Sequence, residues 1–188
     1  MAEVVTEIYV EKAKKEDFEK WFEKKTDSGA YFFDSGNSGF HTEIDGGWGG
    51  FFWESLSIQM ALEFKGIIFE GTNMFIWDDH IVRTNFSSDG KKVALSRSIE
   101  LPEYFDEDCE EDDMDEDNDF LALLEVENDI PYDETFEIKK LVNLAEAYKE
   151  VKGKLKDTAL VENVCKDKKI TLDELKKFIN IFEWKKRK

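Results

Sequence analysis

Between Glu103 and Asp119 the chain places 12 acidic residues, interrupted only by Tyr104, Phe105, Cys109, Met114 and Asn118. No compact core accepts such a block, because like charges at this density repel one another and hold the segment extended or mobile. It is read as a linker, and it divides the chain into an α+β sheet domain over 1–102, the acidic linker or loop over 103–119, and a mainly helical segment over 120–188 packed on the first. The formal net charge is -18. Without the 12 acidic charges of the block it falls to -6, so the negative charge is concentrated, not spread.

The flanking parts carry enough apolar matter to fold. Of 188 residues 41% are hydrophobic, with 16 Phe and 5 Trp, which excludes global disorder despite the charge. Val4 to Val10 reads as a strand rich in β-branched residues. Lys15 to Lys25 reads as a helix, with Phe18, Trp21 and Phe22 on one face and charges on the other. Ala30 to Asp34 is a short apolar run bounded by turn residues, hence a strand. Phe40 to Asp45 alternates, with Phe40, Thr42 and Ile44 on one side and His41, Glu43 and Asp45 on the other.

The stretch Gly46-Gly47-Trp48-Gly49-Gly50-Phe51-Phe52-Trp53 sets glycines, which are costly to order, beside rings that bury the most area per residue. It lacks the spacing of a P-loop or of a dinucleotide fingerprint, so a turn or bulge closed over by aromatics is expected there. Glu54 to Phe64 then reads as a buried helix, with Ser55 as its N-cap and Leu56, Met60, Ala61 and Phe64 as its stripe.

From Gly66 to Leu101 all the signals are strand. Ile67-Ile68-Phe69 and Met74 to Trp77 read as two short runs separated by Gly71-Thr72-Asn73, and Asp78-Asp79-His80 as a turn into Ile81 to Phe86. Ser87-Ser88-Asp89-Gly90 is a hairpin connection, and Val93, Leu95, Arg97 and Ile99 alternate on the return. An antiparallel sheet with two helices on one face is the expected fold, followed by the acidic linker and a C-terminal helical segment.

Past that linker, Phe120 to Val126 returns to the body as strand or short helix, and Phe136 to Val151, Thr158 to Cys165 and a segment opened by Thr171 are helices. Thr171 and Glu174 form a capping box. In outline this region resembles the second half of an EF-hand loop, with Asn163, Cys165, Asp167 and Glu174 at ligand positions. A thiol at the third position and Lys168 and Lys169 inside the loop oppose a divalent cation, and the capping box accounts for the same letters.

Charge excludes an ordinary nucleic-acid surface, which needs a positive footprint, and disfavours anionic membranes. Cys109 and Cys165 make no disulfide framework, and the opening residues show no basic segment followed by an apolar one, so a cytoplasmic protein with free thiols is expected. No cofactor is implied. No catalytic signature stands out, and the expectation is a non-enzymatic acidic binding protein that docks or neutralises a basic protein partner, as an inhibitor or immunity protein does. The residues expected to meet that partner are Asp106, Glu107, Asp108, Glu110, Glu111, Asp112, Asp113, Asp115, Glu116 and Asp117 for steering, with Trp48 and Trp53 as anchors. A metal-assisted hydrolase using His41, Glu43, Asp78 and His80 is the alternative. A scaffold module pairing through its C-terminal helices is a third reading.

Overall fold

A computed structural model describes residues 3–26, 30–35, 39–45, 53–76, 81–100 and 132–182. The chain forms strand β1 (Glu3–Glu11), helix α1 (Lys15–Thr26), strands β2 (Phe33–Asp34) and β3 (Gly39–Asp45), and helix α2 (Trp53–Glu63). Strands β4 (Ile68–Ile76), β5 (Ile81–Asp89), β6 (Lys92–Glu100) and β7 (Tyr132–Glu137) follow, then helices α3 (Ile138–Val151), α4 (Thr158–Lys168) and α5 (Leu172–Phe182). The fold is α+β: one antiparallel sheet in the order β2-β3-β1-β4-β5-β6-β7, with helices after it.

Alternation decides which residues meet the helices. Thr6, Ile8 and Val10 of β1 face the same side as Asn73, Gly71 and Phe69 of β4, their register partners, and all are buried. The pattern continues through Val82, Thr84, Phe86 and Ser88 of β5 and Val93, Leu95 and Arg97 of β6. Against this face α1 packs Phe18, Trp21 and Phe22, at the helical spacing that puts three rings on one side. Phe18 is the hub: its ring centroid lies 5.2 Å from Phe32, 5.3 Å from Phe40 and 5.7 Å from Phe64. Each such pair adds about 0.5–1.5 kcal/mol beyond its burial.

Four local expectations are corrected. Gly71-Thr72-Asn73 does not break the sheet, for β4 runs unbroken through it. The Phe86 ring occupies the space a Cβ on Gly71 would take, Asn73 donates to Thr6 Oγ1 at 2.6 Å, and Thr72 donates to Asn85 Oδ1 at 2.9 Å. Ser55 is not an N-cap, because α2 begins at Trp53 and Ser55 lies in its first turn. Of Ala30 to Asp34 only Phe33 and Asp34 pair, against His41 and Phe40. The helix expected from Phe136 starts at Ile138, whose N–H donates to Lys91 O at 2.8 Å, because Tyr132–Glu137 of the otherwise mainly helical C-terminal segment is a strand on β6.

The C-terminal helices read as their signals imply. On α3, Leu141, Leu144, Ala147, Tyr148 and Val151 are buried on one face. Asp157 caps α4 by accepting from Leu160 N at 3.1 Å. The capping box is formed in full, with Thr171 N–H donating to Glu174 at 2.8 Å and Glu174 N–H to Thr171 Oγ1 at 3.2 Å. Because α4 continues to Lys168, the Asn163–Glu174 stretch is helix and cap, not a cation loop. Leu141, Leu144, Leu175 and Phe178 belong to the same hydrophobic cluster as Ile8, Phe18 and Trp53.

Candidate functional site

Two constellations stand out, one inside the molecule and one on the side of the sheet turned away from the helices. The inner one is a charged node. Glu54 opens α2, Arg97 lies on β6, and Tyr132 opens β7. Glu54 is 5% exposed and Arg97 7%, and the two are ion-paired. Tyr132 donates its hydroxyl to the same Glu54 oxygen at 2.8 Å, and the Arg97 guanidinium sits 5.5 Å from the centre of its ring. Burial, followed by the Glu54 carboxylate beside it, pushes the Tyr132 hydroxyl far above the ordinary phenol range, so it remains a donor. Held protonated, the phenol serves as a hydrogen-bond donor within the node. The node fixes α2 to both strands. Its signal was legible: Arg97 shares an alternation with Val93, Leu95 and Ile99, and a charge on a buried face requires a counter-charge.

The outer constellation is the face that, among the described residues, no helix covers. One row of register partners crosses every strand: Phe33, His41, Tyr9, Glu70, Ser87, Ala94 and Thr135. The neighbouring row runs Glu7, Thr72, Asn85, Ser96, Asp133, with the backbone of Glu43 opposite Glu7. A concavity of about 350 Å³ opens between Glu7, Tyr9, His41, Glu70 and Thr72. A second, of about 160 Å³, continues it over Thr72, Asn85, Ser96 and Asp133.

The two halves of this face differ in charge balance. On β5 and β6, Glu100 accepts from Arg83 at 2.7 Å, and that bond holds its carboxyl below the usual range. Asp89 is likewise lowered, by the Lys92 and Lys91 amides it accepts from. Strands β1 to β4 contain no lysine or arginine at all, and among the described residues Glu7 and Glu70 have no cationic partner. At the β2 end of the row, Phe33 is 61% exposed and nearby Tyr31 85%, on either side of Phe32, which turns into the core.

The residues singled out from the sequence fall in three places. Trp53 is corrected from surface anchor to core residue: it is 1% exposed, with its ring stacked 5.0 Å from Phe86. His41 is exposed on the open face, its ring 6.1 Å from Phe33. Trp48, Asp78, His80 and the whole run Asp106, Glu107, Asp108, Glu110, Glu111, Asp112, Asp113, Asp115, Glu116 and Asp117 lie outside the described residues, as does the side chain of Glu43. Among the described residues no group of three or more His, Cys, Asp or Glu is placed to hold a metal ion, and no helix is long and apolar enough to cross a membrane. What sequence reading missed is the set Glu7, Tyr9, Glu70, which is assembled only by strand register. Comparison of the chain with protein-family profiles, with curated proteins and with solved structures finds no match in any of the three.

Proposed function

We propose that the chain is a non-enzymatic acidic binding protein that docks a basic protein partner, in the manner of an inhibitor or immunity protein. The observation that carries this reading is the uncovered β1–β4 face, where Glu7 and Glu70 are exposed without a cation on those strands to neutralise them. Carboxylates left this way attract a positive surface and lower the cost of desolvating it. The Asp106–Asp117 block, with most of the formal charge, steers the encounter from a distance and loses reach as salt shortens the screening length from about 30 Å at 0.01 M to about 10 Å at 0.1 M.

The test is association of the full chain with a fluorescent octa-arginine peptide, followed by stopped flow across that salt range. Charge-steered association reaches about 10⁸–10⁹ M⁻¹s⁻¹ at low salt, against about 10⁵–10⁶ for neutral partners. A rate in the upper range that falls steeply with salt is expected. A rate indifferent to salt, or no association at the lowest salt, refutes the reading.

A further inference from the structure

We propose that the aromatic end of the uncovered face is an arginine-binding site, occupied by an extended, arginine-bearing segment of a protein partner. This rests on the binding function above and names the side chain that the surface selects. Phe33, His41 and Tyr9 follow one another across β2, β3 and β1, and the row ends on Glu70 with Glu7 one position along. The rings are thus followed directly by carboxylates, in the order a guanidinium uses them: a flat apolar face to stack on, then acceptors for its N–H groups.

The platform is held in advance of binding. The Tyr9 hydroxyl donates to Glu11 at 2.9 Å, and its ring lies over Gly39, where a side chain would collide with it. Glycine at 39 is what lets the ring rest against the strand. Phe33 holds its place by pairing with His41 while remaining 61% exposed, more than a packing residue needs. With strands about 4.8 Å apart, the row from β2 to β4 spans three spacings, about 14 Å, which an extended peptide crosses in about four residues. Lysine fits less well: its ammonium is a strongly hydrated point charge that neither stacks flat nor forks onto a carboxylate.

Charge complementarity commits the occupant. Strands β1 to β4 carry no lysine or arginine to repel a cation. On β5 and β6 the Arg83–Glu100 pair has already consumed its own acceptor, whereas Glu7 and Glu70 beside the rings have no cationic partner among the described residues.

The experiment titrates the full chain with octa-arginine and octa-lysine peptides of equal charge at one fixed salt concentration, reading fluorescence anisotropy. It repeats the titration with Glu7→Gln/Glu70→Gln and with Tyr31→Ala/Phe33→Ala. These side chains are exposed or at the rim, so circular dichroism and the thermal midpoint of each variant remain those of the parent. The arginine peptide is expected to bind tighter than the lysine peptide by about fivefold, the worth of an exposed ring–cation contact. The aromatic variant loses that preference and keeps its lysine affinity, while the charge variant weakens both peptides by about fivefold. Equal affinity for the two peptides, or a preference that survives both variants, overturns the arginine site. If association in the stopped-flow salt series still falls steeply with salt in that case, the broader docking function stands and the acidic block performs it. If neither peptide binds the parent chain, both readings fall.

Discussion

Replacing Arg97 by Met tests whether the buried node holds the helical layer to the sheet. The substitution removes the guanidinium ion-paired with Glu54 and leaves that carboxylate 5% exposed, with the Tyr132 hydroxyl at 2.8 Å as its partner among the described residues. Breaking a buried pair by taking one partner costs about 3–5 kcal/mol, since the remaining charge has lost its water without compensation. Against a total of about 5–15 kcal/mol for a folded domain, that is a large share. At about 2–4 °C per kcal/mol for a chain of this length, the midpoint falls by about 6–20 °C. Removing both charges in Glu54→Leu/Arg97→Met costs less, because, of Glu54 and Tyr132, it is the hydroxyl that is left orphaned, at about 1–3 kcal/mol. Adding Tyr132→Phe returns the protein towards its starting stability, because the polar groups of Glu54, Arg97 and Tyr132 are then removed together. Urea unfolding monitored by tryptophan fluorescence, with the slope against denaturant held constant, gives the order. Stability that falls with each added substitution, or a loss below about 1 kcal/mol for Arg97→Met, refutes the reasoning.

Gly71→Ala should destabilise by about 1–3 kcal/mol, because the added methyl meets the Phe86 ring and the Glu7 carbonyl in a packed interior. A neutral result in urea unfolding means that the ring moves freely and β4 does not depend on this contact. Thr171→Ala should cost about 1 kcal/mol through the lost cap on α5. The Glu174 carboxyl is held below its ordinary 4.5, first by Lys140 and then by the Thr171 amide, so its contribution is complete above that pH and is lost as pH falls through the depressed value. Lys140→Met should therefore show a smaller drop in urea midpoint between neutral pH and pH 3 than the parent; an equal drop refutes the pairing.

Where a residue's neighbours lie within one turn or one pleat, the fold was legible. The rings of Phe18, Trp21 and Phe22 declare α1, the alternation of Val93 to Ile99 declares β6, and Thr171 with Glu174 declares the start of α5. Legibility failed where the stabilising partner is remote. Gly71-Thr72-Asn73 carries every local mark of a turn, yet Phe86, Asn85 and Thr6 hold it in a strand from elsewhere in the chain. Tyr132–Glu137 is too charged to read as a strand alone, but Phe136 is buried opposite Val93 and Glu134 meets Lys177 of α5 at 2.7 Å. Trp53 was misread because a core indole and a surface anchor are the same letter, separated only by what packs on them.

The uncovered face was half legible, and the missing half bears on function. Alternation alone places His41, Glu43 and Asp45 on one side of β3, but not which strand lies beside them. Register sets the backbone of Glu43 opposite Glu7, and Glu70 opposite Tyr9. Among the described residues no cation pairs with Glu7 or Glu70, whereas on β5 and β6 Arg83 answers Glu100 on the same face. A sheet selected for stability alone has no use for uncancelled carboxylates beside exposed rings, and a single lysine on β3 or β4 would relieve them. Sheet stability alone does not call for that pattern, and the proposed docking of a basic partner accounts for it.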